Sequence, residues 1–378
     1  MSGGEIALLR LLPALTEVEP RVVLFEDGPF ARRLEEAGIP VQVVPMNRAG
    51  LDLPRSSVTA GGIAQNMRAV AAAWSQVLRL RRLIRELRPD LVHTNSMKAL
   101  VIGACAGRLA GIPVVAHVRD RVAPEYLPTI ARRLVLTVLR RLCAVTVANS
   151  ESTRATLGTV RARVLPSPVV YDPVVSRLVR KGDAVRAGDH VNYTFAMVGR
   201  ISPWKGQDVF LRAFASAFPA GSERAMVVGG PLFGEFEYLD SLRRLVADLG
   251  IASRVEFTGH LEDTHSALAR ADAVVHASVI PEPFGMVVVE ALGSGLPVIA
   301  ADAGGPAEVI QDGVNGLLSP PGDEAALAER MRRLRDDPAL VRRLVAAGRV
   351  RAEDFSPASA AAEMQRLYRD ALGEARAR

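Results

Sequence analysis

Two carboxylates, Glu282 and Glu290, stand with seven residues between them, and from Phe284 to Leu296 the only ionisable side chain is Glu290. That run ends in Gly293-Ser294-Gly295 and is followed by Pro297, which predicts a helix apolar almost all round and therefore buried. The valines at 287 to 289 pull towards a strand, but the length and the terminal glycines favour helix. A carboxylate inside such a helix needs donors, because burying an unpaired charge is costly. Protein side chains or the hydroxyls of a ligand would both serve. Pro281 and Pro283 turn the chain so that Glu282 falls at the mouth of this helix, where backbone N–H groups are free and anions are welcome.

Three further groups could do chemistry. Gly199-Arg200 and Lys205-Gly206 follow a strand and open a helix, placing two cations near a helix N-terminus that already favours phosphate oxygens. His117, Arg119 and Asp120 crowd a predicted strand end. His93, with Asn95 just beyond it, closes another, where it serves either as a ligand contact or as a satisfied sheet-end histidine. The histidines and the two cysteines, Cys105 and Cys143, show no metal-ligand spacing, so no tightly held metal is expected.

The elements that must position these groups alternate regularly. In the first half, strands are predicted at 22–25, 41–44, 90–93, 113–117 and 144–148, with helices at 3–12, 30–37 and 127–142 and a long one ending at Arg88. Residues 50–65 read as loop. On the helix 127–142, Leu127, Ile130, Leu134, Val138 and Leu142 define one apolar face, with Arg132, Arg133, Arg140 and Arg141 elsewhere. Anionic lipid would suit such a helix, although a core face opposite water is the commoner cause of the pattern. Polar, aperiodic residues 172–190 after the prolines at 166 and 168 form a linker. Beyond it come strands at 193–198, 225–228, 255–258, 273–277, 298–301 and 316–318, with Asp323 and Ser356 as helix N-caps. The division is therefore an N-terminal domain 1–170, a linker 171–190, a second domain 191–355 and a closing helix 356–378.

A chain of 378 residues, 49% hydrophobic and 23% charged, holds two α/β domains of ordinary size. No apolar stretch approaches the roughly 18 residues needed to cross a bilayer, no export signal heads the chain, and two cysteines make no disulfide framework, so a cytoplasmic setting is expected. The net charge of +6 suits an anionic substrate or a membrane face. Nucleic acid is not expected as a partner, since the arginines are dispersed without interleaved aromatics.

Glu282-Pro-Phe-Gly, the second glutamate, the run Ala291-Leu-Gly-Ser-Gly-Leu-Pro-Val-Ile-Ala, then Gly304-Gly-Pro-Ala-Glu-Val-Ile, Asp312-Gly313 and Asn315-Gly316 together closely resemble the retaining glycosyltransferases of family 4, of the GT-B fold. The resemblance implies two doubly wound Rossmann-like domains facing across a cleft, with a C-terminal helix crossing back to the first. It implies transfer of a sugar from a nucleotide diphosphate, UDP first and GDP second, to a small-molecule, glycan or lipid-linked acceptor hydroxyl, without a metal or other cofactor. Catalytic roles would fall to His117, Arg200, Lys205 and Glu282. Donor contacts would come from Gly4, Gly199, Arg200, Lys205, Glu282, Phe284, Gly285, Met286 and Glu290, with Glu290 on ribose hydroxyls and Glu282 on those of the sugar. Acceptor-side candidates are His93, Asn95, Arg119 and Asp120. The chain departs from the family where Gly3-Gly4 follows no strand, so the first strand of the N-terminal sheet is expected to be missing. Two rival readings use the same cleft: a GT-B phosphorylase or sugar-nucleotide epimerase, and a non-catalytic sugar-nucleotide binder.

Overall fold

A computed structural model describes residues 1–46, 63–171, 193–231, 234–261 and 263–376, the side chains of 63–69 and 374–376 excepted. Residues 50–62 of the expected loop and 172–190 of the expected linker lie outside the described residues. The chain divides into two units, one of Met1–Pro168 with Pro357–Arg378, the other Val169–Ser356.

The first unit runs α1 (Gly3–Leu11), β1 (Val22–Leu24), α2 (Pro29–Glu36), β2 (Val41–Val43), α3 (Ile63–Leu87), β3 (Val92–Thr94), α4 (Met97–Ala110), β4 (Val114–Val118), α5 (Thr129–Leu142), β5 (Val145–Ala148), α6 (Glu151–Ala155) and β6 (Arg163–Val164). Among the described residues all its pairings are parallel, and they fall into two ladders, β1-β2 and β3-β4-β5-β6. Val115 and Val147 point into one core layer, and Val114, Ala116, Val118 and Ala148 into another. This alternation with both faces covered is the mark of a parallel sheet.

On α5 the buried seam is Val135, Val138 and Leu139, while Ile130 and Leu134 are 68% and 51% exposed. The expected face through Ile130 and Leu134 is corrected by this. The helix carries two overlapping apolar stripes, and periodicity does not say which one meets the sheet.

The second unit runs β7 (Thr194–Val198), α7 (Gln207–Ala217), β8 (Arg224–Val228), α8 (Phe236–Asp248), β9 (Val255–Gly259), α9 (His265–Leu268), β10 (Ala273–His276), α10 (Met286–Gly293), β11 (Val298–Ala301), α11 (Pro306–Val309), β12 (Leu317–Ser319), α12 (Glu324–Asp336) and α13 (Pro338–Glu353). Its six strands lie in the order β12-β11-β10-β7-β8-β9, all parallel. Phe195, Met197, Val227 and Val275 face one core, and Ala196, Met226, Val274 and Ala300 the other. The chain winds from β7 out to β9, then crosses back to β10 on the far side of β7. The carboxyl ends of β7 and β10 therefore form the topological switch point, where open α/β sheets hold ligands.

The closing helix α14 (Pro357–Arg376) belongs to the first unit, where Ala360, Met364, Leu367, Tyr368 and Ala371 pack among Leu11, Leu12 and Leu15. Its Gln365 carboxamide accepts from the backbone N–H groups of Thr16 and Glu17 at 2.7 and 2.8 Å.

Candidate active site

The switch point of the second unit gathers the charges. Beyond β7 come Gly199 and Arg200, a short 3-10 turn at Pro203–Lys205, and Gly206 in the left-handed region at φ +76°. A Cβ at Gly206 would stand 2.1 Å from the Ala277 carbonyl oxygen, so only glycine lets this turn lie against the end of β10. That approach sets Lys205 Nζ 2.7 Å from Glu282 Oε2, with the two side chains only 12% and 14% exposed. The lysine lies over the Trp204 ring, Nζ 4.5 Å from its centroid, and along Gly199. Arg200 is held near Glu235, Nε to Oε2 3.7 Å, while its carbonyl accepts from Gln207 at 2.8 Å.

Glu282 Oε2 also meets His276 Nε2 at 2.7 Å and accepts from Ser278 Oγ at 3.0 Å. The Ala301 N–H lies 3.5 Å from His276 Nδ1, which leaves Nε2 as the protonated nitrogen that donates to Glu282. Burial alone would raise the Glu282 carboxyl, but the Lys205 ammonium and His276 outweigh it and hold the group well below the usual carboxylate range. Among the described residues nothing hydrogen-bonds Oε1 of Glu282. The backbone here is pinned by glycines: Gly304, at φ +70°, bridges Glu282, and the Gly305 N–H donates to the Glu282 carbonyl at 2.8 Å. A Cβ on Gly304 would meet the Glu282 backbone at 2.3 Å.

Gly285, at φ +84°, begins α10. Phe284 turns its ring into the core against Phe355, centroids 5.6 Å apart, and Met286 packs at the edge of the same cluster. Glu290 lies on α10, 9% exposed.

In the first unit, β3 and β4 bring His93 and His117 together, ring centroids 5.5 Å apart. Arg119 is buried just beyond β4, donating to Asn95 Oδ1 at 2.5 Å and Ser167 Oγ at 3.1 Å and reaching His117 Nδ1 at 3.3 Å. Asn95 donates onward to the Gly4 carbonyl at 2.9 Å, and a Cβ at Gly4 would touch the Arg119 stem at 3.3 Å. The N-terminus of α1 is closed by a capping box in which Ser2 and Glu5 satisfy each other's backbone N–H groups. Burial lowers both histidines, aided by the Arg119 charge: His93 falls to about 3, and His117 well below its ordinary value. Burial also lowers Arg119 to about 10, against the pull of Tyr368 and Asp120. Both rings are neutral near pH 7.

A model of the glycosyl transferases group 1 matches residues 186–351, and one of glycosyltransferase family 4 matches residues 30–172. The chain is 31% identical over 315 residues to D-inositol 3-phosphate glycosyltransferase 1 of Catenulispora acidiphila, covering 76% of this chain and 74% of that relative. It is a family 4 glycosyltransferase. A second relative, the 2-deoxystreptamine glucosyltransferase of Streptomyces kanamyceticus, is 30% identical and is matched over 98% of this chain and 100% of its own length. Among solved structures, Anabaena HepE in complex with UDP and glucose is 28% identical with a TM-score of 0.80, covering 97% of this chain and 95% of that one. Sucrose-phosphate synthase of Thermosynechococcus elongatus, at 21% identity and a TM-score of 0.72, shares the fold alone. The fold of this glycosyltransferase is GT-B, with two Rossmann-like domains.

The structure thus joins Gly199, Lys205 and Glu282 in one cluster with Arg200 beside it, and His93, Asn95, His117, Arg119 and Gly4 in another. His276 and Ser278 are partners of Glu282 that sequence reasoning passed over. The available signal was a histidine at the end of β10, six residues before Glu282. Among the described residues no three His, Cys, Asp or Glu side chains cluster as metal ligands, and no helix is long and apolar enough to cross a membrane.

Proposed function

We propose that this glycosyltransferase moves a hexosyl group from a nucleoside diphosphate sugar, a UDP-sugar first and a GDP-sugar second, to an acceptor hydroxyl with retention at the anomeric carbon and without a metal. As the bond from the anomeric carbon to the diphosphate oxygen breaks, its electron pair stays on the diphosphate, and fixed cations must meet that charge. Lys205 uses one of its three N–H donors on Glu282 and keeps two for phosphate oxygens. Arg200 adds the second cation, and the backbone at Gly199 and at the opening of α10 supplies N–H groups. The ionised Glu282, with Oε1 unused, accepts from hydroxyls of the donor sugar, and Glu290 accepts from ribose. His117 lines the reacting centre; His93, Asn95, Arg119 and Asp120 lie on the acceptor side.

The observation that carries this reading is the Lys205–Glu282 pair, 2.7 Å apart at the switch point and braced by His276 and Ser278. UDP complexes of HepE support the choice of nucleotide. The relatives name both a cyclitol phosphate and an aminocyclitol, so a polyhydroxylated small molecule is the first acceptor to try. A peripheral contact with the inner face of a membrane is compatible with the exposed Ile130 and Leu134 of α5 beside Arg133 and Arg140.

The test is turnover of UDP-glucose with a panel of polyol acceptors in EDTA, with the product's anomeric proton read by NMR. Turnover that survives the chelator and an axial product linkage from the axial donor are expected. Inversion, or activity that returns only with magnesium or manganese, would refute the corresponding part.

A further inference from the structure

The histidine pair of the first unit has a property that the donor reading does not use. Arginine has no acceptor, so in the contact between Arg119 and His117 Nδ1 the guanidinium donates, and the proton of His117 must sit on Nε2. His93 Nδ1 lies 2.7 Å from the hydroxyl of Tyr368, which α14 brings back into this unit. Tyr368 makes no other hydrogen bond among the described residues. Only if its O–H donates to His93 Nδ1 are both groups satisfied, because the reverse arrangement would leave the buried phenolic proton without an acceptor. The proton of His93 is therefore on Nε2 as well.

Both Nε2 atoms are buried, and neither has a hydrogen-bond partner. Two imidazoles on neighbouring strands, tilted at 47° with centroids 5.5 Å apart, thus carry one unanswered N–H donor each. A buried donor left unanswered is costly, and two of them side by side call for an oxygen with lone pairs. The hydrogen-bond partners of Arg119 are uncharged while Asp120 pulls on its charge, so the choice of ligand rests on the two N–H donors themselves. An ammonium group is the wrong ligand here.

We infer that His93 and His117 form a two-donor site for one oxygen of the nucleotide sugar, a sugar hydroxyl or a phosphate oxygen, and that Tyr368 and Arg119 are the positioning residues that fix both rings as Nε2–H donors. The inference rests on the nucleotide-sugar reading, moves His93 from the acceptor side to the donor, gives Arg119 a positioning role and adds the tyrosine of the closing helix. It also makes the role of His117 definite, since a ring fixed in this tautomer donates a hydrogen bond and does not take a proton.

The experiment is long-range proton–nitrogen correlation NMR on the full chain labelled at its six histidines, with resonances assigned by His93→Gln and His117→Gln. Both rings are expected as the Nε2–H tautomer, and Tyr368→Phe should turn His93 into a mixture while leaving His117 unchanged. Saturating UDP-glucose should shift both Nε2 signals. A shift with UDP-glucose but not with UDP or inorganic phosphate identifies a sugar hydroxyl; a shift with UDP or phosphate identifies a phosphate oxygen. The Nδ1–H tautomer in either ring of the native protein overturns the proposal, as does bound UDP-glucose that leaves both signals unmoved. If calorimetry finds no binding of UDP-glucose at all, the nucleotide reading is what fails, and the phosphate titration alone then decides the pair.

A second pair of variants tests the geometry should Tyr368→Phe not fold. His93→Gln keeps an N–H donor at the position of Nε2, whereas His93→Asn places its amide at Nδ1. His93→Asn should bind UDP-glucose about three- to tenfold more weakly than His93→Gln, the scale of one hydrogen bond between uncharged groups. Equal affinities for the two would contradict the site.

Discussion

Lys205 donates to Glu282 across 2.7 Å, and the same carboxylate oxygen receives His276 and Ser278 from the end of β10. Glu282 is thereby kept ionised in a nearly closed site. The arrangement readies one cation and one anion together: the ammonium has donors left for phosphate, and the carboxylate has an oxygen left for a hydroxyl.

A thermodynamic cycle follows from this pairing. Removing one partner of a buried ion pair commonly costs about 3 to 5 kcal/mol because the other charge is stranded, while removing both is much milder. His276 and Ser278 soften the loss, so Lys205→Ala should destabilise by about 2 to 4 kcal/mol, and Lys205→Ala with Glu282→Gln by clearly less than the sum of the two single changes. Urea denaturation of the three variants measures this. Strict additivity would mean that the pair does not act as a unit.

The buried neutral histidines predict a pH dependence with a definite sign. His93 is lowered from about 6.5 to about 3, and His117 is lowered too, so between those limits the unfolded chain binds protons that the native state refuses. Their contribution is complete above about pH 6.5 and is lost as the pH falls towards the native values, at up to about 1.4 kcal/mol per pH unit for each ring. Glu282, also lowered in the native state, adds a loss that begins only near its unfolded value of about 4.5. Stability should therefore fall from pH 7 to pH 5 through the histidines alone. The slope in that interval should be shallower in His93→Gln, and a wild-type stability flat across it would contradict their burial as neutral groups.

Glu290 separates binding from architecture. If its carboxylate accepts from ribose hydroxyls, Glu290→Gln weakens UDP binding by about 1.5 to 3 kcal/mol, the range for hydrogen bonds to a charged group, while the unliganded protein keeps its stability. Unchanged UDP affinity in calorimetry, together with a large drop in melting temperature, would make Glu290 a structural residue.

Much of the site was legible because its markers are local. The apolar run around Glu290 between glycines announced a buried helix, and α10 is there, opening behind Gly285, which is left-handed at φ +84°. The strands ending near Arg200, His93 and His117 were readable from their apolar runs. The contacts themselves were not. Lys205 meets Glu282 across 77 positions of sequence only because Gly206 can press against Ala277, and nothing in either local pattern encodes that approach. His276 passed as an ordinary strand residue for the same reason. Tyr368 lies on the closing helix with no local signal of a partner, and only the packing of α14 sets its hydroxyl on His93. On α5 the sequence offered two apolar stripes, and only the sheet could choose between them.

The central claim is that Arg200 and Lys205 stabilise the departing diphosphate, and turnover at saturating donor tests it most directly. Removing one preorganised partner of a developing charge commonly costs about a hundred- to a thousandfold in turnover. Arg200→Ala and Lys205→Ala, each assayed well below its unfolding transition, are expected to lose at least about tenfold by this argument, and the double variant to lose less than the product of the two because both act on one diphosphate. Turnover close to wild type in both single variants would contradict the account.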